Sequence, residues 1–139
     1  MTQPNIVLWW KSLSPQLQSV LRIVAAFIFM QSGAMKLFAF PIAPKSGHPV
    51  ELVSEAGLGG VLELFGGLLI LIGLFTRPVA FILSGQMAVA YFQFHAPKGF
   101  WTVENGGGNA MLFCFVWLFF SAAGAGPWSI DAVRKKAKT

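Results

Sequence analysis

The sequence predicts an all-α integral membrane protein, a four-helix bundle in up-down antiparallel order. Three observations carry that reading. The chain is 55% hydrophobic and only 11% charged, against roughly a quarter charged in soluble domains. Its apolar residues gather in long runs, separated by short segments rich in Pro, Gly and Asn. Its basic residues fall unequally on the two sides that four crossings would define.

At 139 residues, the chain reads as a single domain, residues 1–139. Residues 1–15 carry IVLWW beside Lys11 and suit an interfacial segment or an extension of the first span. The first span covers about residues 17–40, and Pro41 and Pro44 stop it. After the loop PIAPKSGHPVELVSE, helix is expected to restart near Val50. The second span, residues 56–75, is a near-continuous apolar run that contains one charge, Glu63. Thr76-Arg77-Pro78 makes a tight turn, with Pro78 suited to the first turn of the next helix. The third span reaches from Val79 to His95. The fourth, residues 107–123, begins within the NGGGN stretch and ends at Gly124-Ala125-Gly126-Pro127. Residues 128–139 form a basic tail with Ser129 as its helix cap.

Four spans place Lys11, Arg22, Arg77 and the four basic residues of the tail on one side, and only Lys36, Lys45 and Lys98 on the other. The positive-inside bias therefore predicts both termini in the cytoplasm and an inner (plasma) membrane location. A net charge of +5 without an aromatic-interleaved basic patch argues against nucleic acid as a partner. Membrane lipids, a partner subunit and further copies of the chain are the expected partners.

Gly59, Gly66 and Gly73 fall seven apart and, with Gly33 and Gly67, are expected to let helix backbones approach closely. Glu63 lies between two of them, so its carboxylate should enter a helix–helix contact. Side chains tilt toward a helix N-terminus, so Lys36, late in span one, and Glu63, early in span two, lean toward each other. An unpaired ion in hydrocarbon costs several kcal/mol, and a Lys36–Glu63 pair follows. The alternatives are snorkelling of Lys36 to headgroups and a neutral, packing Glu63. Gln31, Gln93, His95, Asn105 and Asn109 add polarity to the same outer half. Asn105 and Asn109 share a helix face at a spacing of four, or else cap the helix start. Whether His95 faces the bundle or a wet interface stays open on sequence alone.

Other chemistries are weakly supported. Cys114 has no partner thiol in the chain, which excludes an intrachain disulfide, and also paired-thiol redox work unless another subunit provides the second thiol. Two histidines, one of them in a loop, make no bis-His haem pair, and no zinc or di-iron spacing occurs. Gly106-Gly107-Gly108 follows no strand and is no dinucleotide fingerprint.

The segments GAMKL at 33–37, ELFGGLLILIGLFTR at 63–77, AYFQFH at 90–95, NGG at 105–107 and GPWSID at 126–131 resemble, in order, the DoxX family of small four-span membrane proteins. The resemblance marks Gly33, Lys36, Glu63, Gly66, Gly67, Gly73, Arg77, His95, Asn105, Gly106 and Gly107. The chain departs from it after Asn-Gly-Gly, where Gly108 and Asn109 stand in place of an expected acid. It implies a membrane subunit of a redox system that binds quinone or another small hydrophobic molecule in the outer half of the bundle. A carrier for a lipid-soluble compound and a structural assembly subunit are the competing readings. The chain shows no redox centre of its own, so whether it is an enzyme stays open.

Overall fold

In a computed structural model, which describes residues 5–139, all regular structure among those residues is helical. Helix α1 (Asn5–Ser12) buries none of its residues and is separate from α2 (Ser14–Phe38), in which Pro15 occupies the first turn without losing a bond. α2 ends before the two prolines, because Ala39 takes a left-handed conformation and returns its N–H to Met35. Helix does not restart near Val50. The Val50 N–H instead bonds the Lys36 carbonyl, and the restart waits for Ser54, whose hydroxyl accepts from Gly57 N at 3.0 Å.

From there α3 (Glu55–Val61), a π-helical turn at Leu62–Gly66 and α4 (Gly67–Ile72) make one continuous helix, Glu55–Ile72. This helix and α2 are long and apolar enough to cross a membrane. After a left-handed turn at Gly73 and Phe75, α5 (Thr76–Ala90) begins, three residues earlier than the sequence suggests. It runs into a second π-helical turn, Tyr91–His95, and a 3₁₀ turn. Short α6 (Thr102–Asn105) precedes α7 (Gly108–Ala123) and the basic α8 (Ile130–Ala137), capped by Ser129.

Two close helix pairs dominate the packing. Along α2, Lys36 meets Glu63, Gly33 meets Gly60 and Leu64, Met30 meets Gly67 and Arg22 meets Ile70, so α2 and Glu55–Ile72 run antiparallel. A Cβ on Gly33 would stand 2.6 Å from Leu64 N, which explains glycine there. α5 pairs with α7 through Ser84, whose hydroxyl donates to the Cys114 carbonyl at 2.8 Å, and through Arg77, which donates to the Ala122 carbonyl. Phe29, Phe113 and Trp117 join the pairs, with ring centroids 5.1–5.6 Å apart. Around this core the outer faces remain apolar: Val24, Phe27 and Ile28 on α2 and Leu112, Phe115 and Phe119 on α7 are exposed. A helix apolar on both faces needs a non-aqueous surround.

At the end where α2 begins and α7 ends, Arg22 is fully buried and donates to the carbonyls of Ile70, Leu71, Ala125 and Trp128. It thereby satisfies the last carbonyls of α4, where a cation is favoured. Asp131 completes the knot: its carboxylate accepts from Phe75 N and Thr76 N, both at 2.9 Å, capping α5, and its own N–H bonds Gly73 O.

Candidate functional site

Polar residues of the opposite end are organised by the two π-helical turns. A π turn holds one residue more than an α turn and re-aims the side chains on it; such turns recur at functional sites. Glu63 lies on the first and His95 on the second. The Glu63 carboxylate, 3% exposed, receives Lys36 Nζ on both oxygens, at 2.7 and 2.9 Å. Lys36 keeps 28% side-chain exposure and so remains within reach of a ligand or water.

His95 Nδ1 lies 3.0 Å from the Asn105 carbonyl. A carbonyl can only accept, so Nδ1 carries the proton in this bond and Nε2 of the neutral ring is left as an acceptor. Tyr91 stacks on the imidazole. Asn105, 3% exposed, is consumed by structure: its amide donates to Gly99 O at 2.9 Å, and its side-chain oxygen accepts from Gly107 N at 2.7 Å. It fixes the 96–107 connection behind His95 and lines neither cavity described next.

Two cavities share Lys36, Glu63, Ala90 and His95 as a common wall. The inner one, about 290 Å³, lies among α2, α5 and α7 and is lined by Phe29, Met87, Phe113, Ser32 and Asn109. The other, about 510 Å³, is a groove between α3 and α5 with Leu58, Leu62, Val89 and Phe94 on its walls. Both are mainly apolar with a few convergent polar groups, and they lie at and within the size range of small-ligand sites, about 300–1,000 Å³.

The remaining sequence-predicted residues distribute differently. Gln31 is exposed on α2 and touches neither cavity. Gln93 lines the groove but is exposed and bonded to Glu55 at 3.0 Å. Asn105 and Asn109 do not share a helix face, because Gly106 takes φ 70° between them and ends α6. The glycines do not form one stripe. Gly59 and Gly66 face Gln86 and Leu83 of α5, whereas Gly60 and Gly67 face Lys36 and Met30 of α2. Gly73 makes no helix–helix contact surface; it turns the chain at φ 69° against Ser129 and Arg22.

Sequence reasoning missed Gln86, which lines the groove, donates to Gly59 O at 3.1 Å and has a buried side-chain oxygen without a partner among the described residues. It also treated Arg22 only as a charge on the cytoplasmic side. No local signal in the sequence marked it, because a charge this close to a span's start is usually solvated. Among the described residues no three His, Cys, Asp or Glu side chains converge as a metal-binding set.

The DoxX family pattern matches residues 17–96, more than half the chain. An uncharacterized protein of Haemophilus influenzae is 42% identical over 120 residues, covering 84% of this chain and 90% of that protein. An uncharacterized membrane protein of Mycobacterium tuberculosis is 29% identical over 136 residues, covering 86% of this chain and 82% of its own. No solved structure matches. On the family pattern the chain belongs to the DoxX family, and its relatedness to the Mycobacterium membrane protein and its two long apolar helices mark it as a membrane protein.

Proposed function

We propose that this protein is a multi-pass inner-membrane subunit of a redox system that binds quinone, or a similar small hydrophobic carbonyl compound, at the shared wall of the two cavities. In this reading four helical segments cross the membrane in up-down order with both termini cytoplasmic. The paired cavities then lie in the outer half. One observation carries the proposal: the ion pair and His95 stand together between two apolar cavities, where a ring can be held with its oxygens on polar groups.

The residues present suit such a ligand. Phe29 and Phe113 offer flat apolar walls in the inner cavity, and Asn109 and Lys36 offer donors for a carbonyl oxygen. His95 Nε2 can accept from a hydroxyl. A quinone, when bound, couples electron uptake to proton uptake. The Lys36–Glu63 pair sets an ammonium donor and a carboxylate acceptor beside that position. In this reading a partner subunit delivers the electrons.

A carrier for a lipid-soluble compound is the second reading. What favours it is the lateral groove meeting the inner cavity across the ion pair, an arrangement suited to passage.

Extraction in mild detergent, followed by mass spectrometry and absorbance of the bound apolar fraction, tests the first reading. Quinone retained by the wild type and lost in Glu63→Gln supports it. An apolar compound without a reducible group would transfer support to the carrier. No retained compound in either form would remove the ligand site.

A further inference from the structure

A third cavity, about 420 Å³, opens at the opposite end of the molecule, between the α4–α5 turn and the α7–α8 connection. We propose that it binds the phosphodiester headgroup of an anionic phospholipid in the leaflet on the side of the chain termini. The site is independent of the ion pair and of the quinone reading.

Its lining carries two cations, Arg77 and Lys135, against one carboxylate, Asp131. That carboxylate is already engaged, one oxygen on Phe75 N and the other on Thr76 N. The Arg77 guanidinium uses Nη1 on the α7 carbonyls, and among the described residues its Nε and Nη2 have no acceptor. A guanidinium edge with two N–H groups matches the geometry of phosphate oxygens. Lys135 adds a point charge from α8. Thr76, fully buried at the wall, has a hydroxyl with no partner among the described residues.

The surroundings say where that phosphate comes from. α8 presents exposed Ile130 and Val133 together with Arg134 and Lys136, with Lys138 just past its end, the composition of a helix lying in a headgroup layer. Exposed Phe75 lines the cavity and has the Arg134 guanidinium 4.8 Å from its ring centre. An apolar wall beside a cationic one suits a headgroup attached to acyl chains better than a free anion. Basic pockets at helix ends on the positively charged side of membrane proteins recognise lipid headgroups in this way.

The test is native mass spectrometry of the full chain in detergent, titrated with phosphatidylglycerol or phosphatidylcholine. The wild type is expected to retain phosphatidylglycerol in preference to phosphatidylcholine. Lys135→Gln should lower that retention about fivefold, the worth of one interfacial lysine. Lys138→Gln, the same charge change outside the cavity, should leave it unaltered. Added inorganic phosphate should not displace the lipid. Equal losses in the two variants would reduce the effect to diffuse attraction by the tail and overturn the site. So would absence of lipid preference, and displacement by inorganic phosphate would overturn the lipid as its occupant. Arg77→Gln is not the decisive variant, because Arg77 also caps α7.

Discussion

The Lys36 ammonium is held 2.7 and 2.9 Å from the two carboxylate oxygens of Glu63, one donor group shared between both acceptors of a residue from an antiparallel helix. Removing one member leaves the other charge with nothing to offset it. Glu63→Gln should destabilise the protein by about 2 kcal/mol, less than the about 3–5 of a fully buried pair because Lys36 is partly exposed. Lys36→Met combined with Glu63→Gln should recover most of that loss. Thermal unfolding in detergent reads both, and a double variant as unstable as the sum of the singles would deny the coupling.

Close approach at Gly33 makes a second expectation. The added methyl of Gly33→Ala would press on Leu64 N and Gly60 O, backbone atoms that cannot rotate away. A cost of about 2 kcal/mol follows. Gly85, also helical, has open space around it, and Gly85→Ala should stabilise by about 0.5–1 kcal/mol. Matching shifts of the same sign in both would contradict the packing described.

Arg22 ties together three segments distant in sequence. Arg22→Lys keeps the charge, but one ammonium cannot serve carbonyls of both α4 and the 125–128 turn. We expect Arg22→Lys to expose residues 124–139 to protease, and Asp131→Ala to cost about 1–2 kcal/mol through the lost cap of α5. Protease resistance equal to the wild type in Arg22→Lys would refute the first expectation.

Asn105→Ala should act on the loop before it acts on any ligand. Loss of the bonds to Gly99 and Gly107 frees the 96–107 connection, and its amides should exchange about tenfold faster with deuterium. Exchange confined to residues near Glu63 would be the contrary result.

Orientation can be read chemically. In a Cys114→Ala background, Lys45→Cys should react with an impermeant maleimide on intact cells, whereas Thr139→Cys should react only after permeabilisation. The reverse pattern would invert the proposed topology.

What the sequence made legible was mostly what local rules govern. The lean of Lys36 and Glu63 toward each other follows from helix geometry, and the serine cap of α8 follows from position. The start of α7 inside NGGGN was also readable. Spacing failed where the backbone left the regular helix. Asn105 and Asn109 look like one face until the left-handed Gly106 separates them, and Gly73 belongs to a seven-residue pattern only if helix continues through it. Arg22 was misread for a different reason. A charge near a span's start is usually solvated, and only tertiary structure brings four carbonyls around this one.

The two wide turns, at Leu62–Gly66 and Tyr91–His95, bear on how relatives should be compared. Each holds one residue more than an ordinary turn, so loss of a single residue there would let the helix close to regular geometry. The helix beyond would then swing by about 100°, the angle per residue, carrying Glu63 or His95 off the shared wall. A homologue aligned with a single-position gap in either segment should therefore keep the scaffold while having given up whatever chemistry that wall performs.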